Sequence, residues 1–171
     1  LQRALASRPN LVDARRYLGN ALAELGRLDE ARAEWRTALQ IRPTNWQVYS
    51  DMGRALFVAA QYAEARAALE ELIKLQPDNA FGHQRLGTIH QAEGRLDEAL
   101  SHYERASAIS PTAATYSNIG AVYHRLGRFD QAVAYYQRAI ALRPNLSALH
   151  RNLGDAFTRQ RRAADAQTAY R

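Results

Sequence analysis

Five histidines, a few scattered hydroxyls and a broad supply of arginine are the side chains here with chemistry to offer. His83 and His90 stand seven apart, on one face if the segment is helical. That spacing suits a pair of metal ligands, but no Cys and no neighbouring carboxylate completes a site, so helix packing is the expected role and no metal is assigned. His150 falls at the same phase as His83, which supports packing. Ser50, Thr88 and Ser117 lie within helical patterns and carry no nucleophile-elbow motif. The glycines follow a long period and not a phosphate loop. With no Cys there is no disulfide, thiolate site or cysteine nucleophile. No catalytic residue and no cofactor is assigned, and the chain is read as a non-enzyme.

The elements that would position these groups recur. Prolines stand at 9, 43, 77, 111 and 144, in steps of 34, 34, 34 and 33. Glycine fills a second column at 19, 53, 87, 120 and 154, and alanine a third at 31, 65, 99, 132 and 166. Proline cannot continue a helix, so its column marks helix ends. Glycine inside a helix costs about 1 kcal/mol against alanine. Its recurrence at one phase predicts close approach of another backbone, and the alanine column predicts a tight helix crossing.

Between the columns the apolar period is helical. In 11–25 it runs Leu11, Ala14, Leu18, Ala21, Leu22 and Leu25. Gly26-Arg27-Leu28-Asp29, Gly94-Arg95-Leu96-Asp97 and Gly127-Arg128-Phe129-Asp130 repeat one turn, with Gly closing the first helix and Asp capping or charging the second. No stretch alternates with period two, so no strand is expected. No apolar run reaches the ~18 residues of a membrane span, and the N-terminal stretch lacks the character of a signal peptide.

These features resemble the tetratricopeptide repeat. Tyr17-Leu18-Gly19-Asn20-Ala21-Leu22 with Ala31, Trp35, Ala38 and Pro43 carries the likeness, as does Asn118-Ile119-Gly120-Ala121-Val122-Tyr123 with Ala132, Tyr136, Ala139 and Pro144. The departures are Leu69 at an aromatic position, and Ala60 and Arg161 at turn-glycine positions. The resemblance implies an all-α fold, a right-handed superhelical solenoid of antiparallel helix-turn-helix repeats. It gives a single domain over 1–171: the end of a preceding repeat (1–11), repeats 12–45, 46–79, 80–112 and 113–146, and a partial repeat 147–171. The chain opens and closes within a second helix, so it is read as a piece of a longer bacterial array whose apolar ends favour end-to-end self-association.

The family's usual role is protein–protein interaction, with a peptide segment held on the concave faces of the first helices. Packing is expected to take the face of Leu18, Gly19 and Leu22. The opposite faces offer Arg16, Asn20, Arg54, Phe57, Phe81, Arg85, Asn118, Arg125, Arg151 and Asn152. Asp13, Glu24 and Asp51 make the first half acidic, while arginines dominate the second, so an acidic partner fits there. Asn118 and Asn152 share a phase and resemble the asparagine ladder of arrays attached to sugar transferases. Some family members grip a C-terminal carboxylate. Arg16, Asn20 and Arg85 fit that clamp, but Asp51 and Phe81 stand where asparagine and lysine are wanted, so such binding is not expected. The net charge of +6 is spread through every repeat beside acidic residues, which argues against nucleic acid. A structural spacer, or substrate recruitment for a larger enzyme, is the alternative role. The expected compartment is the cytoplasm, or else the outer part of a membrane-anchored parent.

Overall fold

The computed structural model describes residues 9–170, with no strand among them. Ten helices follow one another: α1 (Pro9–Glu24), α2 (Leu28–Ile41), α3 (Trp46–Val58), α4 (Tyr62–Leu75), α5 (Ala80–Ala92), α6 (Leu96–Ile109), α7 (Ala113–Arg125), α8 (Phe129–Leu142), α9 (Ser147–Arg159) and α10 (Ala163–Ala169). They form two compact units, residues 1–82 and 83–171. In the first, α1 packs on α2 and α3 on α4; in the second, α7 packs on α8 and α9 on both α8 and α10.

Pro43, Pro77, Pro111 and Pro144 fall outside helices, as a residue without an N–H should. Pro9 does not: it is the first described residue of α1, and the segment before it lies outside the described residues. Asn45 and Thr112 cap α3 and α7, accepting hydrogen bonds from the amides of Val48 and Thr115 at 3.3 and 3.1 Å. The second helices are started by charge. Asp29, Asp97 and Asp130 sit in first turns, while the capping residues Arg27, Arg95 and Arg128 make no side-chain cap bond.

Each hairpin turn closes with an amide reaching back five residues, as from Arg27 to the Leu22 carbonyl at 2.9 Å. The residue before that amide is left-handed. Gly26, Gly94 and Gly127 fill the place with φ of 76, 79 and 71°. Ala60 and Arg161 hold the same conformation with φ of 58 and 60°, where a Cβ crowds the following carbonyl. Ala60→Gly is therefore expected to stabilise the α3–α4 hairpin by about 0.5–1 kcal/mol, raising the melting temperature by roughly 2 °C. A thermal scan followed by circular dichroism tests this; a lowered midpoint would show that the turn carries no such strain.

The glycine column differs from expectation in one respect. What comes close is a side chain, in four of the five cases a ring, and not a backbone. A Cβ on Gly87 would lie 2.7 Å from Cδ1 of Tyr103, and one on Gly120 would lie 2.7 Å from Cε1 of Tyr136. Gly19 faces Trp35, Gly53 faces Leu69 and Gly154 faces Tyr170 in the same way. The ring comes from the second helix of the same hairpin, so glycine and aromatic columns are two halves of one contact. The alanines fill the remainder, and Ala31, Ala65, Ala99 and Ala132 are fully buried. Leu18, assigned to the packing face, is instead 48 % exposed; Val12, Gly19 and Leu22 are the buried ones among the described side chains of that helix.

Candidate functional site

Three of the sequence-derived candidates in the first unit converge on one carboxylate. Arg16 donates to Asp51 Oδ2 at 2.8 Å and Asn20 Nδ2 donates to the same oxygen at 2.7 Å. The Arg54 guanidinium lies 3.8 Å from Asp51 Oδ1. Trp35 Nε1 donates in turn to Asn20 Oδ1 at 3.2 Å. Burial works against the charge of Arg16, but the bond and charge of Asp51 outweigh it and hold the guanidinium above its ordinary pKa. The relay ties α1 to α2 and α3, and it occupies the atoms that a ligand would need. Phe57, half-buried, packs its ring 5.6 Å from that of Tyr62, and Phe81 is half-buried at the start of α5.

The second unit is arranged differently. Arg85 is half-buried on α5. Arg125 is exposed at the end of α7 and donates to the main-chain oxygen of Gln91 at 2.8 Å. Asn118 lines a cleft of about 620 Å³ with Ser117, Arg143, Leu146 and Ala148. Arg151 lines another of about 640 Å³ with Asn145, His150 and Tyr170. Asn152 is half-buried on α9. Among the described residues, the side chains of Asn118, Arg151 and Asn152 make no hydrogen bond or ion pair within the protein. Charge follows the same division. Residues 83–171 hold twelve Arg against seven Asp and Glu, whereas 1–82 hold eleven Lys and Arg against ten. Nearly all of the net charge therefore belongs to the second unit, which pairwise reading of neighbours such as Arg95 and Asp97 conceals. Arg95 in fact pairs with Glu93.

One set of polar contacts has a sequence signal that period counting passes over. Three of the four aromatic tips in this column meet the residue fifteen positions before them; Tyr136, with Ala121 at that place, is the exception. Trp35 reaches Asn20, Tyr103 reaches Thr88 (3.0 Å) and also Gln91 (2.9 Å), and Tyr170 reaches Asp155 (2.7 Å). Asn20 thus holds the buried ring of Trp35 in place, and Asp155 the exposed ring of Tyr170, whatever else they meet.

The histidines pack together, but not as the sequence pairs them. His83 Nδ1 and His102 Nδ1 are 3.1 Å apart, one donating to the other, and His90 stacks on His102 with ring centroids 5.2 Å apart. Among the described residues no group of three or more His, Asp or Glu is placed to hold a metal ion. Burial, then the neighbouring His90 and His83, push the His102 imidazole down to about 4. Above about pH 6.5 the ring is neutral in folded and unfolded chains alike. As pH falls from there towards 4, only the unfolded chain takes up the proton, so stability is lost across that window. The expected loss is about 1–2 kcal/mol, less than the full shift because the ring is partly solvated. Urea unfolding at a series of pH values measures it, and His102→Gln should flatten the slope between pH 6.5 and 4.

Antiparallel helix pairs, a glycine–ring contact at a fixed phase and left-handed hairpin turns define a helix-hairpin repeat protein. Tetratricopeptide repeat models match residues 78–145, 111–171 and 46–79, and a TPR repeat model matches 19–58. The chain belongs to the tetratricopeptide repeat family. It is 33 % identical over 102 residues to the Hsp70-Hsp90 organizing protein of Triticum aestivum, covering 60 % of this chain and 18 % of that protein. It is 34 % identical over 80 residues to the protein O-mannosyl-transferase TMTC1 of Homo sapiens, covering 47 % and 9 %. The chain thus spans less than a fifth of the length of either relative. Among solved structures, a crystal structure of MamA superposes with a TM-score of 0.89 at 20 % identity, covering 94 % of this chain and 88 % of that one. YrrB, described as a TPR protein with an unusual peptide-binding site, gives 0.80 at 19 % identity, covering 91 % and 80 %. At these identities the likeness shows the fold. No helix among the described residues is long and apolar enough to cross a membrane.

Proposed function

We propose that the chain is a non-catalytic protein–protein interaction scaffold, and that the first helices of its second unit hold an acidic peptide segment of another protein. One observation carries this reading. Asn118, Asn152 and Arg151 have no partner within the described residues, while Arg16 and Asn20 at related phases are consumed by Asp51. An asparagine side chain both donates and accepts, as an extended peptide backbone requires. Arginine forks match carboxylates, and the excess of positive charge lies on this unit. Likeness to an Hsp70-Hsp90 organizing protein and to a protein with a peptide-binding site fits a role in holding partners. It does not extend to a carboxylate clamp of the usual kind, because Asp51 sits among the residues that would build one.

The test is capture of partners from lysate by the wild-type chain and by the Arg125→Glu, Arg151→Glu double variant. The bound protein should fall by roughly tenfold while the melting curve is unchanged. Full capture by the variant would remove the basic surface from the binding role.

A further inference from the structure

Just before α3, α5 and α7 stands a polar residue that caps the helix. Asn45 accepts from the amide of Val48 at 3.3 Å, Asn79 from that of Gly82 at 2.9 Å and Thr112 from that of Thr115 at 3.1 Å. Before α9 the place is taken by Leu146, whose side chain makes no cap bond. Leucine is among the weakest residues at a helix start and costs stability there against Asn or Thr. It gains no cover in exchange, since Leu146 is 45 % exposed. Leu142, at the end of α8, is 51 % exposed, whereas Ile41, Leu75 and Ile109, each also two residues before a proline, are half-buried. Apart from Tyr170, these two leucines are the large apolar side chains left exposed among the described residues of the second unit. Both line one space, the cleft of about 620 Å³ between the start of α7 and the turn from α8 to α9. Ala114 and Ala148 extend its apolar wall, and Asn118 is also part of its lining. Arg143 is the charged residue among those that line it, and none of them is acidic. An apolar patch that is kept open at a cost to the helix beside it marks a contact surface.

We propose that the cleft of Leu142 and Leu146 is an anchor pocket for a bulky aliphatic side chain, leucine by preference, that stands next to an aspartate or glutamate in the bound peptide. This rests on the reading of the second unit as an acidic-peptide surface, and gives that surface its sequence preference. The apolar wall takes the aliphatic group out of water. Arg143 lines the same cleft and is exposed, so its guanidinium meets a carboxylate on the neighbouring residue of the peptide. Asn118 offers a donor and an acceptor to the peptide backbone between them. An arginine-rich face alone accepts any acidic segment in any register. The pocket fixes which residue of the segment docks where. A lysine or arginine beside the aliphatic residue would face Arg143 and be turned away.

The experiment measures fluorescence anisotropy with two fluorescein-labelled peptides of equal length and charge. In one, glutamates surround a central leucine; in the other, a central alanine. The whole chain is compared as wild type, Leu146→Asn, Leu142→Ala and the Arg125→Glu, Arg151→Glu double variant, each with its melting curve. Wild type should take the leucine peptide roughly tenfold more tightly than the alanine peptide. Leu146→Asn should raise the melting temperature by roughly 2–4 °C, by restoring the cap, and yet lose most of the leucine preference. Leu142→Ala should melt as wild type does, because the side chain is exposed, and weaken the same preference. Equal binding of the two peptides by wild type would overturn the proposal. So would a leucine preference that survives both variants, or a lowered midpoint for Leu146→Asn, which would show the leucine serving the fold. The two readings fail separately. If the charge-reversed variant loses both peptides while Leu146→Asn keeps the leucine preference, the basic surface stands and the pocket falls. If the charge-reversed variant keeps both peptides and still prefers leucine, the pocket is upheld and the role of Arg125 and Arg151 falls.

Discussion

Gly87→Leu is expected to cost about 3 kcal/mol and to lower the melting temperature by roughly 10 °C. The new Cβ would begin 2.7 Å from Cδ1, 2.8 Å from Cε1 and 3.0 Å from Cγ of Tyr103, so it meets the ring broadside. The ring has nowhere to go. Tyr103 is fully buried, and its hydroxyl is held by Thr88 and Gln91. Relief must come from moving α5 away from α6, which also disturbs the histidine pair. The matching change at Gly53 is a useful contrast. It meets Leu69, an aliphatic side chain with rotamers to spare, and should cost less. Thermal and urea unfolding of the two variants side by side would decide it. An unchanged midpoint for Gly87→Leu would show that the ring contact does not constrain the hairpin.

Trp35→Ala is expected to be larger still, about 3–5 kcal/mol. Trp35 is fully buried at the centre of a cluster with Val12, Leu22, Ala31, Ala38 and Val48, and the cavity left behind is lined by small or rigid neighbours that cannot close on it. The change also removes the donor to Asn20, one link of the relay that ends on Asp51. Trp35→Phe separates the two effects, because it keeps most of the packing and loses the indole N–H. Equilibrium urea denaturation should place it about 1–2 kcal/mol below wild type. A loss under 1 kcal/mol for Trp35→Ala would mean that α1 and α2 collapse freely into the space.

The fold was legible because its tightest contacts recur. A glycine that must pass a ring, an alanine at a crossing and a proline after a helix each leave one letter per hairpin, and five hairpins turn a weak letter into a column. The column says that something comes close; it does not say what. Glycine permits a backbone or an aromatic face equally, so the column alone does not distinguish a crossing helix from the ring of Tyr103 that lies over Gly87. Periodicity fixed the direction of α1 but not how far its cover extends, and Leu18 sits beyond the edge. The candidate site was legible only as positions on first helices. Whether a side chain there is available depends on partners in other helices. Arg16 and Asn20 meet Asp51 across 35 and 31 residues of sequence, and no period predicts an ion pair that occurs once. The fifteen-residue step from ring tip to polar partner was within reach. It forms no column because its polar partner changes identity, from asparagine to threonine to aspartate.

Both tryptophans, Trp35 and Trp46, belong to residues 1–82, and six of the nine tyrosines belong to 83–171. Trp35 is fully buried with its indole N–H bonded to an amide, so its emission is that of a dry, rigid site for as long as α1 and α2 stay together. The chain therefore carries its own optical label, confined to one half. Indole fluorescence follows the opening of the first unit alone, while tyrosine absorbance is weighted towards the second. A single unlabelled sample heated once reports whether the two halves melt together or in turn.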